Sequence, residues 1–187
     1  GKQGADVHVL ASLCDIAWLL NIRGKDIPGV PVTLSFLCMG KDSCVWYVRD
    51  GALNDKVRSY MEDNGVQVKA YDDIYGDLQQ LEARQKVLLD KQNVNFRLLN
   101  SIPTKAEILN QPNPTEAMKA VKNPVELANT RKAHIKESIA FTKFMYWLKT
   151  HVDKEEITEI SAAEYLDGRR KEQEHYLEQS FAPICAY

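Results

Sequence analysis

Two apolar runs, Val32-Thr-Leu-Ser-Phe-Leu-Cys-Met39 and Cys44-Val-Trp-Tyr-Val48, are separated by the four residues Gly40-Lys-Asp-Ser43. Glycine, aspartate and serine favour a tight turn, so this segment predicts a β-hairpin. A strand that is apolar along its length is typical of a sheet covered on both faces. The segment therefore indicates the fold class, because a sheet of this kind needs helices on each side.

Strands alternate with helices over the first 110 residues. Beside the hairpin, strands are predicted at residues 7–10, 66–71 and 87–90. Helices are predicted at residues 15–20, between a cap at Asn54 and Gly65, from Asp72 through Leu81, and after a cap at Asn93. This alternation predicts an α/β fold in which a mixed β-sheet is flanked by helices.

The composition changes after Asn110-Gln-Pro-Asn-Pro114, a loop with two prolines that suggests a domain boundary. Asn123-Pro-Val-Glu126 is a strong helix start, with a cap residue, proline at the first helical position and glutamate at the third. One long helix is therefore predicted over residues 124–151. Ser161-x-x-Glu164 predicts the start of another helix, and residues 181–187 predict the beginning of an apolar strand.

The second half of the long helix is apolar on more than one side and therefore needs cover on several faces. Only 36 residues follow it, and their helix is mostly charged. We therefore expect a second domain that is cut off at the C-terminus. Two alternatives remain open: a small helical appendage packed on the first domain, or a dimer that buries the long helix.

Composition and charge limit the function classes. The 187 residues include 24 Lys and Arg and 26 Asp and Glu, so the formal charge is −2 and a nucleic-acid partner is not expected. No apolar run approaches the roughly 18 residues that cross a bilayer, and no N-terminal apolar segment suggests export. A cytoplasmic protein without a membrane partner is expected. We interpret the cysteines as reduced, buried small hydrophobes: Cys14, Cys38, Cys44 and Cys185.

Short motifs assign no catalytic or metal site. Gly40-Lys41 is not a phosphate loop, since Ser35 replaces the first glycine and Asp42 the hydroxyl residue. Glu172-x-x-His175 matches one half of a di-metal helix motif that needs a second copy. We interpret it as part of a solvated charged helix face. The four histidines lack metal-ligand spacing, and no glycine-rich loop supports a nucleotide-binding protein.

The most unusual string is Asp15-Ile-Ala-Trp-Leu-Leu-Asn-Ile-Arg-Gly24. It places Trp18 in an apolar helical turn and Arg23 beside a glycine where the first helix should end. Loops after the first strand and helix of an α/β sheet often carry function. The structural alternative is that Trp18 fills the core and Arg23 pairs with a carboxylate.

The string of residues 15–24 continues to Pro28 and is followed by Pro31-Val32 and Ser35-Phe36. Together these residues resemble the middle domain of three-domain Xaa-Pro aminopeptidases (aminopeptidase P), which belong to the creatinase/prolidase-like family. Cys14 stands where the family has an acidic residue. Two further blocks resemble the entry into the catalytic "pita-bread" domain, namely Lys119-Ala-Val-Lys-Asn-Pro-Val-Glu126 with Arg131-Lys-Ala-His-Ile-Lys-Glu-Ser138, and residues 158–163 through 179–181. The three blocks follow the family's order and span nearly the whole chain.

The resemblance implies that residues 1–122 form a creatinase/prolidase N-terminal-like α/β domain. Residues 123–187 would be the helical start of a truncated pita-bread domain. The family's enzymes bind two divalent metal ions, usually manganese or zinc, through ligands on strands beyond residue 187. This fragment is therefore expected to hold no cofactor, metal ligand or catalytic residue. The full-length enzyme would remove the N-terminal residue that precedes proline from peptides.

In related enzymes the non-catalytic domain walls the substrate cleft and builds the dimer. The resemblance thus implies that the loop of residues 21–26 faces this cleft, with Trp18 and Arg23 as contacts to short proline-containing peptides. The expected partners are the rest of the catalytic domain and a second copy of the enzyme. The alternative is a non-enzymatic interaction module, as in a histone-chaperone subunit whose aminopeptidase-like domain is catalytically dead. The residues after 187 would discriminate the two.

Overall fold

The computed structural model describes residues 4–186. They form two compact units, one that ends at Val121 and one that starts at Lys122. The first unit contains a six-stranded sheet with strands β1 Val7–Leu10, β2 Ser35–Met39, β3 Cys44–Val48, β4 Val66–Ala70, β5 Lys86–Leu89 and β6 Glu107–Asn110. Its α-helices are α1 Leu13–Leu19, α2 Asp55–Asp63, α3 Asp73–Gln79, α4 Phe96–Ser101 and α5 Pro114–Ala120.

The strand order is β4-β3-β2-β1-β5-β6. β2 pairs antiparallel with both neighbours, and the other three pairs are parallel. The hairpin of β2 and β3 is registered with Met39 opposite Cys44. The prediction of a mixed sheet flanked by helices is therefore confirmed.

Each face of the sheet has its own core, because successive strand residues point to opposite faces. One cluster includes Leu10, Leu37 and Trp46 together with Ile16 of α1 and Met61 of α2. The cluster on the other face contains residues of α3 and α4 and, from the strands, Val9, Phe36, Tyr47, Val87 and Leu89. Full burial of each large apolar side chain contributes roughly 1.5–3 kcal/mol. The apolar hairpin is thus explained by cover on both sides.

Several predicted boundaries were wrong. β2 begins at Ser35 rather than at residue 32, because the preceding residues form a closed loop. Asn95 rather than Asn93 caps α4, and its Oδ1 accepts from the Leu98 amide at 2.7 Å. The last helix, α7 Glu159–Lys171, is capped by Thr158, and Ser161 is the second member of this capping box.

Two elements were missed, and one predicted strand is absent. The sequence after residue 110 was interpreted as a domain boundary, but Pro114 begins α5, which belongs to the first unit. β6 has only two apolar residues, Ile108 and Leu109, between polar ends, so its sequence shows neither an apolar run nor a clear alternation. The described residues 181–186 form no strand. Pro183 lacks the amide that a strand donates to its neighbour.

The second unit consists of α6 Pro124–His151 and α7, as the long-helix prediction required. The capping box is present: Asn123 Oδ1 accepts from the Glu126 amide at 2.9 Å, and Glu126 Oε2 accepts from the Asn123 amide at 2.8 Å. The rings of Trp147 and Tyr165 stack with centroids 4.0 Å apart. Several apolar side chains of α6 remain exposed: Val125, Leu127, Ile135, Ile139, Phe141 and Tyr146.

The cysteines are free thiols, but they are not all buried as predicted. Cys14 is exposed, and Cys38, Cys44 and Cys185 are half-buried. Cys14 follows the first residue of α1 and is not among the buried residues of this helix, which are Asp15, Ile16 and Ala17. Burial raises the pKa of the Cys38 thiol to about 12, so this thiol stays protonated at neutral pH.

Candidate functional site

The segment of residues 20–34 connects α1 to β2 at the edge of the sheet where the parallel strands β1 and β3 end. β2 runs antiparallel to both strands, so its first residue, Ser35, lies beside the last residue of β3, Val48. Ligands of open α/β sheets usually bind at the carboxyl ends of the strands. The position therefore makes this segment a reasonable candidate for function, and we call it the α1–β2 loop.

The α1–β2 loop is held by its own backbone. Asn21 adopts a left-handed conformation with φ 50°, which asparagine tolerates better than most residues. The Gly24 amide donates to the Pro31 carbonyl at 3.3 Å, and the Asp26 amide donates to the Val32 carbonyl at 3.2 Å. A Cβ at Gly24 would lie 1.9 Å from Thr33 Oγ1, so only glycine fits here.

Asp26 ties the loop to both neighbouring strands. Its Oδ2 accepts from the Leu34 amide at 2.8 Å, one residue before β2. Its Oδ1 accepts from Arg49 Nη2 at 3.3 Å, one residue after β3. The Arg49 side chain is 63% exposed, so this ion pair contributes at most about 1 kcal/mol. The loop is therefore fixed mainly by main-chain contacts.

Arg23 closes the C-terminal end of α1. Its Nη1 donates to the carbonyls of Ala17 at 3.1 Å and Ile22 at 2.7 Å. A cation at this end of a helix interacts favourably with the exposed carbonyls and the helix dipole. Within residues 4–186, Arg23 forms no ion pair with a carboxylate, so the alternative prediction is not met among the described residues. Nε and Nη2 have no hydrogen bond to residues 4–186, which leaves one edge of the guanidinium for a ligand.

Trp18 lies on the same helix and is half-buried. The buried residues of α1 are Asp15, Ile16 and Ala17, and Trp18 belongs to neither apolar core cluster. Trp18 is therefore only partly buried and does not belong to the apolar core that the structural alternative had predicted for it. The structure thus brings Trp18 and Arg23 to the same end of α1, and their role as substrate contacts stays a prediction.

A buried polar cluster around Asp15 of α1 was not predicted from the sequence. Asp15 is 3% exposed, and its two oxygens accept from Thr115 Oγ1 at 2.9 Å and Lys119 Nζ at 2.6 Å. His8 Nε2 lies 3.1 Å from Asn113 Oδ1. Burial lowers the pKa of His8, although the hydrogen bond to Asn113 and the nearby Asp15 charge act in the opposite direction. The one available signal was an aspartate inside an apolar helix, since its partners are about 100 residues away.

The described residues offer no ligand set for the metal pair that the resemblance implies. Within residues 4–186, no group of three or more His, Cys, Asp or Glu side chains could hold a metal ion. Glu172 forms ion pairs with Lys143 and Arg169, as expected of a charged helix face. No described helix is long and apolar enough to span a bilayer.

Comparisons with known proteins agree with this fold. The sequence model of the Creatinase/Prolidase N-terminal domain matches residues 1–126. The chain is 31% identical to Xaa-Pro aminopeptidase 1 of Dictyostelium discoideum, over 99% of this chain and 30% of the relative. It is also 31% identical to a probable Xaa-Pro aminopeptidase P of Neurospora crassa, over 99% of this chain and 29% of that protein. The chain thus spans about 30% of the length of these curated relatives.

A solved structure of X-prolyl aminopeptidase from Caenorhabditis elegans superposes with a TM-score of 0.87 at 26% identity. The match covers 96% of this chain and 30% of that protein, which is described as a cytosolic enzyme with a di-nuclear active site. An Xaa-Pro dipeptidase from Bacillus anthracis superposes with a TM-score of 0.66 at 12% identity, over 91% of this chain and 45% of that one, and shows the fold alone. The expected creatinase/prolidase N-terminal-like fold followed by helices is confirmed.

Proposed function

Because the chain belongs to the creatinase/prolidase N-terminal domain family, we propose that it is a non-catalytic part of a metal-dependent Xaa-Pro aminopeptidase. One observation carries this proposal. The similarity to Xaa-Pro aminopeptidases continues over 99% of the chain, beyond the family model that ends at residue 126. Residues 1–122 would then be the N-terminal-like domain and residues 123–187 the helical start of the pita-bread domain. The parent enzyme would release the N-terminal residue that precedes proline.

The metal pair of the proposed parent enzyme, manganese or zinc, would be held outside the described residues. The absence of a suitable ligand group within residues 4–186 supports this part of the proposal. Calorimetric titration of the 187-residue chain with manganese tests it, and no stoichiometric binding is expected. Tight binding with a defined stoichiometry would contradict the placement of the site. A cytoplasmic location is proposed because the C. elegans relative is described as cytosolic.

In the parent enzyme, the α1–β2 loop would form part of the wall of the substrate cleft. Its position at the carboxyl edge and the free edge of the Arg23 guanidinium support this role. A guanidinium binds a carboxylate through two parallel hydrogen bonds, so the C-terminal carboxylate of a short peptide is a suitable ligand. Trp18 would provide an apolar contact beside it.

Arg23→Ala in the full-length enzyme tests this role, with Lys25→Ala as the matched control because Lys25 is exposed in the same loop. We expect the substitution at Arg23 to raise KM for dipeptides and tripeptides more than for longer peptides, since only short peptides would place their carboxylate at this loop. Thermal unfolding of both variants separates a loss of contact from a loss of the helix cap. Equal kinetics at all peptide lengths would remove Arg23 from the proposed site.

The proposed partners are the rest of the catalytic domain and a second copy of the enzyme. The exposed apolar side chains of α6, with Ile135 61% exposed and Tyr146 71% exposed, support an intramolecular partner. Hydrogen exchange of residues 124–151 should be slower in the full-length enzyme than in the 187-residue chain. Equal exchange in both would argue against cover by the missing domain.

A further inference from the structure

Helix α1 ends just before Arg23 and is held in the first unit by contacts of two different kinds. Ile16 and Leu20 belong to the apolar cluster on one face of the sheet, and apolar attachment is non-directional. Asp15 is 3% exposed and forms polar contacts with α5 instead. Because hydrogen bonds have defined distances and angles, these polar contacts fix the rotation of the helix more narrowly than the apolar contacts do.

Both oxygens of the Asp15 carboxylate accept hydrogen bonds from α5. Thr115 Oγ1 donates to Oδ2 at 2.9 Å, and Lys119 Nζ donates to Oδ1 at 2.6 Å. The start of α5 is in turn tied to the sheet, since Asn113 Oδ1 lies 3.1 Å from His8 Nε2 on β1. Asp15 therefore gives α1 a second attachment, which is independent of the apolar clusters because neither cluster of residues 4–186 contains a residue of α5.

Asp15 lies within one helical turn of a carbonyl that holds the Arg23 side chain. Ala17 follows Asp15 by two residues, and its carbonyl accepts from Arg23 Nη1 at 3.1 Å. The same carbonyl accepts from the Ile22 amide at 3.0 Å. Successive turns of an α-helix are joined by hydrogen bonds, so a rotation of α1 at Asp15 would also move this carbonyl and the guanidinium bound to it.

We propose that Asp15 is a positioning residue for the substrate site: by tying α1 to α5, it sets the orientation in which the Arg23 guanidinium meets the peptide. This inference rests on the role proposed above for the α1–β2 loop. Asp15 itself would not touch the substrate, because its carboxylate is buried and both oxygens are satisfied by α5. A guanidinium and a carboxylate form two parallel hydrogen bonds in one plane, so a small rotation of α1 should weaken the contact.

Asp15→Asn in the full-length enzyme tests the proposal. Asparagine keeps the size of the side chain, removes the charge that faces Lys119, and leaves one oxygen instead of two to accept from α5. We expect KM for dipeptides and tripeptides to rise about threefold to tenfold, with kcat unchanged and with KM for longer peptides changed by less than about twofold. A role in general stability alone would change the kinetics of short and long peptides alike.

Two further variants control for folding and for the loss of a charge. Thr115→Val keeps the shape of the side chain and removes the hydroxyl that donates to Asp15. It should produce the same dependence of KM on peptide length, with a smaller amplitude, and it provides the test if Asp15→Asn does not fold. Asp63→Asn changes an exposed aspartate of α2 in the same unit and should leave the kinetics unchanged.

The Arg23→Ala background shows whether Asp15 acts through Arg23. There, Asp15→Asn should raise KM for short peptides by less than about a further twofold, because the contact is already lost. Equal effects of Asp15→Asn in both backgrounds would overturn the proposal. A length-dependent effect of Arg23→Ala, with unchanged kinetics in Asp15→Asn and Thr115→Val, would overturn the positioning role but leave the proposed site intact. Equal kinetics of Arg23→Ala at all peptide lengths would instead contradict the proposed site itself.

The 187-residue chain provides a measurement that needs no substrate. The NMR resonance of the Arg23 Nε–H group can be assigned by its loss in Arg23→Ala. It should shift in Asp15→Asn and in Thr115→Val but not in Asp63→Asn, because a rotation of α1 changes the hydrogen bonds of the guanidinium. An unchanged resonance in both Asp15→Asn and Thr115→Val would show that Arg23 does not respond to Asp15 and would overturn the positioning role.

Discussion

The two units of the chain differ in how far their apolar side chains are buried. In the first unit, the hairpin strands are covered on both faces, and Leu37 and Val48 are fully buried. In the second unit, α6 buries only Ala140 among its described residues, and large apolar side chains such as Ile135 remain exposed. Caps and local propensity are thus enough to define the ends of a helix, whereas burial needs a partner layer.

This difference in burial should have its largest effect on two side-chain truncations, Leu37→Ala in β2 and Ile135→Ala in α6, which we expect to change the free energy of unfolding very differently. Leu37 is 0% exposed, so the cavity should lower the free energy of unfolding of the first unit by about 2–5 kcal/mol. Ile135 is 61% exposed, and its loss should cost less than about 0.5 kcal/mol in the second unit. A urea titration in which hydrogen exchange monitors the unfolding of each unit measures both free-energy changes.

Equal costs for the two truncations would show that α6 has cover in solution, for example from a second copy of the chain. Repeating the titration at a tenfold lower protein concentration identifies that case. Self-association makes the stability of Ile135→Ala depend on concentration, whereas the stability of Leu37→Ala does not.

A second, smaller contrast comes from one glycine in each unit. Gly24→Ala would place a Cβ 1.9 Å from Thr33 Oγ1 and 2.6 Å from the Val32 carbonyl oxygen, so the loop must move. We expect a loss of about 1–3 kcal/mol, measured by thermal unfolding of the first unit. Gly168→Ala in α7 meets nothing within 4 Å and should stabilise the second unit by about 0.5–1 kcal/mol.

A destabilising Gly168→Ala would indicate that α7 packs against a surface that the structure does not show. A neutral Gly24→Ala would mean that the α1–β2 loop adjusts without cost. That result would weaken the view that this loop is a fixed part of the first unit.

The same contrast explains what the sequence could predict. Hydrophobic periodicity and helix caps are local features of a sequence. The hairpin and the α/β class could therefore be predicted from residues 32–48, and the start of α6 from Asn123-Pro-Val-Glu126. The strand β6 and the helix α5 were not predicted, because each depends on partners that are distant in the sequence. Asp15 illustrates the limit: its residue type is visible, but its contacts with Thr115 and Lys119 depend on the fold.

For the candidate site, Trp18 and Arg23 were predicted at the end of the first helix, where the structure has them, but their role stays a prediction and the contacts of Arg23 depend on the fold. Its two hydrogen bonds to main-chain carbonyls could not be inferred from spacing. The contacts of Asp15 with Thr115 and Lys119 were absent from the sequence-based prediction for the same reason. Long-range polar pairs become visible only when the topology brings their elements together.

The smallest predicted effect is a difference between the units in mild acid. Burial lowers the pKa of His8 below its usual value of 6.5, so the folded first unit binds fewer protons than its unfolded form below that pH. Stability should therefore fall as the pH drops from about 6.5 towards the folded pKa of His8, and it should level off below that value.

In the second unit, hydrogen bonds from Lys171 and Tyr176 lower the pKa of Asp167 to about 2. The stability that this carboxylate contributes is complete above about pH 4, its unfolded pKa, and is lost only as the pH falls towards 2. Between pH 7 and pH 5, the first unit should therefore lose stability through His8 while the Asp167 contribution to the second unit stays constant.

His8→Gln tests this difference, because glutamine can still donate a hydrogen bond to Asn113 but does not titrate. In this variant the fall in the melting temperature of the first unit between pH 7 and pH 5 should shrink, whereas His134→Gln, at an exposed position of α6, should leave it unchanged. Asp15, whose charge favours protonated His8, remains in both variants. An identical pH profile in His8→Gln and the unmodified chain would show that His8 is not the group responsible.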